Sequence, residues 1–158
     1  MRLARPIITA TFVAGTLDII AAIVMTIING RRGVDQMLGG VASGPFPSAP
    51  DSGPGAVALG LTVHFALMAI MAAIYVAAAS RMPALRRQPI LWGALYGVAT
   101  YIVMNLLVVP IRFTGAPALP ASWLGFGSQF AFHIFLVGIP IALIAARALS
   151  GGSHGALR

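Results

Sequence analysis

Four apolar runs of about 20 residues or more constrain this chain more than any other feature. They cover about 7–28, 56–79, 90–111 and 123–149. A helix of that length crosses roughly 30 Å of hydrocarbon. Only helices and closed barrels satisfy every backbone polar group in lipid. The runs lack strict two-residue alternation, which a barrel strand needs. The expected fold is therefore all-α, a four-transmembrane-helix bundle. It forms one membrane domain over residues 1–149, and 150–158 reads as a disordered tail.

Composition agrees. Charged residues make up 8% and apolar residues 59%, with mean hydropathy +0.94. A soluble domain carries roughly a quarter charged residues, because its surface must face water. The first run follows a basic start, Met1–Arg5, but is too long for the 7–15-residue apolar core of a cleaved signal, so it reads as a retained helix. With no cysteine, thiolate chemistry, disulfides and iron–sulfur ligation are excluded.

Net charge is +7, from ten Arg against three Asp, with neither Lys nor Glu. On a soluble chain this would suggest nucleic acid. Here the arginines sit in links between apolar runs, where they set topology and meet lipid headgroups, so no nucleic-acid partner is expected. Arg2, Arg5, Arg81, Arg86, Arg87, Arg147 and Arg158 fall on one side, and Arg31, Arg32 and Arg112 on the other. The positive-inside rule then puts both termini in the cytoplasm. Arg without Lys, with abundant Ala and Gly, fits a GC-rich bacterial genome.

Residues 30–55 form the longest link, on the external side. Residues 34–43 of it read as a short interfacial helix, followed by a Pro/Gly/Ser breaker segment. No internal repeat is visible, which argues against an inverted-repeat transporter.

Polar residues inside the runs are the candidate site. Asp18 lies mid-run, where a carboxylate costs about 2.5 kcal/mol or more unless paired, protonated or hydrated. Ala14, Gly15, Ala21 and Ala22 share its helical face, so another helix can approach closely there. The topology puts His64, Asn105 and His133 in the same outer half, one per helix, and Gln129 one turn from His133. Three readings of this layer stay open. It can be a structural polar cluster, a proton or small-ligand site, or a haem b site held by His64 and His133. Zinc on Asp18, His64 and His133 is a lesser option. No phosphate-binding loop or nucleophile with its base is visible, so an enzyme is not expected. A haem- or quinone-linked electron-transfer subunit, a homo-oligomer and an accessory subunit of a larger membrane complex remain alternatives.

Gly93 and Gly97 form a GxxxG that suits close helix packing. Pro140 interrupts the fourth run seven residues after His133 and is a candidate hinge. Arg112 can snorkel to headgroups or cap a polar entrance.

The order of motifs also carries a likeness. Leu61-Thr-Val-His64-Phe is followed by Leu91-Trp-Gly-Ala-Leu-Tyr-Gly97, then Val109-Pro-Ile-Arg112, then Gln129-Phe-Ala-Phe-His133. Over roughly the last hundred residues this resembles the YagU-like family of small bacterial inner-membrane proteins. His64, Trp92, Gly93, Gly97, Pro110 and His133 match, while Arg112 replaces an apolar residue. The resemblance implies the four-span architecture, an inner-membrane location and a link to acid resistance.

Overall fold

The computed structural model describes residues 3–30, 32–113 and 123–150. The Gly/Pro loop and the tail beyond residue 150 lie outside the described residues. Among those described, the chain is helical with no strand. Four helices are long and apolar enough to cross a membrane: Ala4–Asn29, Gly53–Arg81, Pro89–Arg112 and Trp123–Ser150. They extend the apolar runs by a few residues at most ends, because flanking polar residues continue the helix into the interface. The first ends at Gly30, whose φ of 62° lets its N–H reach back to the Thr26 carbonyl. The second opens on Gly53-Pro54 and the third on Pro89, each with proline in the first turn, where its missing N–H costs nothing. A short helix, Pro83–Arg87, links the second and third spans.

The interior is built from small residues. Ala10, Ala14, Ala72, Ala142 and Ala145 are all 0% exposed, while Phe12, Ile27, Ile70 and Phe135 are 59%, 66%, 57% and 64% exposed. A water-soluble fold buries such large side chains. Lipid offers them no reason to leave the exterior, so packing falls to the small residues that bring backbones close. This is the architecture of a multi-pass membrane protein. The fourth span is the hub, touching the other three.

The third and fourth spans cross on glycine. A Cβ on Gly93 would lie 2.8 Å from Ile139 Cα. One on Gly97 would meet the His133 carbonyl, and one on Gly138 the Gly93 carbonyl and Gly97. The GxxxG of the third span therefore has a third member, Gly138, on its neighbour. Nearby, the Tyr96 hydroxyl donates to the Met71 carbonyl at 2.8 Å and ties the third span to the second.

Both of these spans contain a π-helical turn, Val103–Val108 and His133–Gly138. Each ends two residues before a proline, Pro110 or Pro140. Proline cannot donate to the carbonyl four residues back, and its ring crowds that carbonyl. The wider π turn accommodates the clash without breaking the helix. The third span therefore continues through Pro110 to Arg112.

The long link folds into a strap helix, Val34–Ser43. Met37, Leu38 and Ala42 are its buried face, and Gln36 and Gly40 lie exposed. It lies on the second span, where Gly60 admits the Leu38 backbone so closely that any side chain would collide. The strap end of the bundle is thus opposite the end carrying Leu3 and Ser150.

Candidate functional site

His64 is buried in the second span, facing the small-residue side of the first. Its Nε2 lies 2.9 Å from the Gly15 carbonyl. A carbonyl oxygen only accepts, so Nε2 carries the hydrogen and Nδ1 keeps the lone pair. Phe65 stands edge-on to the ring at 5.2 Å. Gly15 makes the contact feasible: a Cβ there would sit 2.7 Å from Phe65.

His133 opens the π turn of the fourth span. Its Nδ1 lies 2.9 Å from the Gln129 carbonyl, one turn back. By the same reasoning Nδ1 is the donor and Nε2 keeps the lone pair. The two imidazoles are therefore held in opposite tautomers, each by a backbone oxygen.

Asp18 is half-buried on the first span. His133 and His64 are the ionisable side chains that bear on its carboxylate. One acid and two bases from three different helices thus come into electrostatic reach. Asn105 and Gln129 do not join them by any hydrogen bond of their side chains among the described residues. Asn105 Nδ2 folds back to the Tyr101 carbonyl at 3.2 Å. Gln129 contributes its backbone oxygen to His133, and its side chain is exposed.

Tyr101 stands where sequence reasoning expected Asn105. It is 2% exposed and meets the edge of His133 at 5.5 Å, with Phe126 and Phe130 around it. Its hydroxyl has no hydrogen-bond partner among the described residues. Buried hydroxyls are normally paired, so this is an unspent donor beside a titratable ring. Only its place one turn from Gly97, toward His133, could have marked it in the sequence.

Arg112 turns its guanidinium onto the strap. Its Nη2 donates to the Ser43 carbonyl at 2.9 Å, and its Nε donates to the Gly44 carbonyl. These carbonyls end the strap helix, where orphan acceptors and the helix dipole favour a cation. Asp35 holds the opposite end, accepting from the Gly53 N–H at 2.9 Å. The strap is thereby fastened to the second span at its start and the third span at its finish.

The Gly53 hydrogen bond holds the Asp35 carboxyl below its ordinary value of 3.8. A carboxyl lowered in the folded state stabilises it fully above 3.8 and ceases to do so as pH falls through the lowered value. The chain has no cysteine, so a spin label on Gly40→Cys reports the strap alone. We expect its mobility to be flat from neutral pH to about pH 4 and to rise below that. In Asp35→Asn it should be raised and pH-independent. A transition unmoved by that substitution would assign the strap's pH response elsewhere.

Haem does not fit the two histidines as they stand. The Nε2 of His64 is committed to Gly15, and its ring is buried between helices with Phe65 against it. Nor do any three His, Asp, Glu or Cys side chains among the described residues gather closely enough to hold a metal ion. Comparison with known protein families, with curated proteins and with solved structures finds no match to this chain.

Proposed function

We propose that this is a non-enzymatic multi-pass protein of a bacterial inner membrane, with both termini cytoplasmic, whose Asp18, His64 and His133 take up and release protons. One observation carries the reading. Two imidazoles, each with one nitrogen bound to a backbone carbonyl, bear electrostatically on a single carboxylate that sits in an apolar helix. With both rings neutral and Asp18 ionised the trio carries −1, and three added protons would take it to +2. Such a charge change inside a low-dielectric bundle is large, because charges there are weakly screened.

Proton gain also has mechanical targets. His133 begins the π turn before Pro140, and its own backbone carbonyl rests on Gly97. A change of charge on its ring acts at the crossing of the third and fourth spans. Pro140 remains the candidate hinge for that movement. The YagU-like reading rests on the motifs around His64, Gly93, Gly97 and His133, and it supplies the suggestion of acid resistance.

The test is proton flux in liposomes loaded with a pH-sensitive dye. Asp18→Asn should lower the flux at least about tenfold, since general acid–base groups typically contribute 10²–10⁴-fold. His133→Ala should lower it too. Flux unchanged by both substitutions would make the trio a structural cluster.

A further inference from the structure

The end of the bundle opposite the strap carries Arg81, Arg86, Arg87 and Arg147. The chain has three acidic side chains, Asp18, Asp35 and Asp51. The last two lie at the strap end, and Asp18 is within the membrane. No acidic side chain of the protein can neutralise these arginines. The cluster is thus left without an acidic side-chain partner and is open to an external anion.

The structure says where. Arg86 and Arg87 line a recess of about 360 Å³ between the link helix and the end of the fourth span. Arg86 is oriented there by a 3.5 Å hydrogen bond from Nη1 to the Leu149 carbonyl. Arg87 also lines an adjoining groove of about 650 Å³, walled by Ile90, Leu91, Ala94 and Leu143. This groove lies between the third and fourth spans on the lipid-facing exterior, where Ile90 and Leu91 are 63% and 51% exposed. The first turn of the third span opens beside it, and its orphan N–H groups favour an anion. A paired-guanidinium recess thus continues into an apolar channel, with Arg87 at the join.

We propose that this is a binding site for one anionic glycerophospholipid, its phosphate on Arg86 and Arg87 and an acyl chain along Leu91, Ala94 and Leu143. Guanidinium suits phosphate because its planar fork matches two oxygens at once. A soluble anion would leave the groove unused. A zwitterionic lipid would bring its own cation into a cluster that already has too many.

Trp92 follows Leu91 in the chain and is half-buried against the core, so short-range quenching of its fluorescence reads lipid held along that turn. In Trp123→Phe protein, it becomes the sole tryptophan. The probes are phosphatidylcholine vesicles containing chain-brominated phosphatidylglycerol or, for comparison, chain-brominated phosphatidylcholine. We expect quenching of Trp92 by the brominated phosphatidylglycerol to half-saturate at about a tenfold lower mole fraction. Arg87→Gln touches an exposed residue and should fold normally, yet cut that preference at least about threefold. Arg86→Gln with Arg87→Gln should abolish it. Ala94→Phe should weaken it with both arginines intact. Equal quenching by the two lipids, or a preference that survives the double substitution, overturns the site. Full displacement by inorganic phosphate would also overturn it, since the acyl groove would then contribute nothing.

Discussion

Gly138→Val should prevent the third and fourth spans from docking and should cost about 3 kcal/mol or more of folding stability, at the upper end of overpacking penalties. A Cβ at this position would collide with the Gly93 carbonyl and lie 2.6 Å from the Gly97 backbone nitrogen. Flexible side chains can move aside, but here the obstacles are backbone on a facing helix. Relief requires the helices to separate, and separation forfeits the contacts of Ile139 and Ala142 with the third span. Gly127→Val is the control: it lies in the same span, and nothing sits within 4 Å of its added Cβ. Reversible unfolding of the detergent-solubilised protein should show near-wild-type stability for Gly127→Val and a large loss for Gly138→Val. Equal stabilities would mean that this crossing is not what holds the fourth span.

Arg112→Met should free the strap helix while leaving the spans folded. The guanidinium makes two bonds to the last carbonyls of the strap, at Ser43 and Gly44. Hydrogen bonds to a charged group contribute about 1.5–3 kcal/mol, and the loss should raise local opening roughly 10–100-fold. Met keeps most of the side-chain volume, so packing is largely conserved. Hydrogen exchange over 34–43 reads the effect directly, and exchange within the spans is the internal reference. Arg112→Lys should recover only part of the protection, because one ammonium cannot reproduce the two directed bonds. Strap exchange unchanged in Arg112→Met would show that the Leu38–Gly60 contact alone seats it.

Both substitutions act at places that the sequence marked only in part. Gly93 and Gly97 announce a close approach by their spacing, yet nothing in the linear order says that Gly138 is what approaches. A single glycine in an apolar run looks like any other. Arg112 is visible as a lone cation at the end of a run, which suggests an interface. Its actual partners lie nearly seventy positions away, at carbonyls that no residue type signals. The strap helix itself was legible, because Met37, Leu38 and Ala42 repeat at helical spacing beside polar neighbours.

The polar residues divide in the same way. Asp18 is conspicuous by its charge in an apolar run, and its flanking Ala and Gly imply a facing helix. His64 and His133 follow from depth counting alone, since four antiparallel crossings fix how far each lies from the strap end. Asn105 satisfied the same count. Its side chain nevertheless bonds its own helix at Tyr101, because a short amide one turn from a carbonyl finds that acceptor before any other. The place beside His133 went to Tyr101, whose ring is long enough to span the gap between helices.

By itself the sequence determined four crossings, because length and hydropathy are local properties read against a bilayer of known thickness. It also determined that a carboxylate would lie among lipid-facing residues and require company. The tertiary structure decided which glycines meet, which imidazole nitrogen is bound, and where Arg112 spends its charge. These depend on how each helix is rotated and offset against its neighbours. Rotation and offset are set by backbone contacts at Gly60, Gly97 and Gly138 and by the π turns before Pro110 and Pro140. One added residue in a turn shifts every side chain beyond it by about 100° around the axis. No count along the chain reveals that shift before the helices are packed.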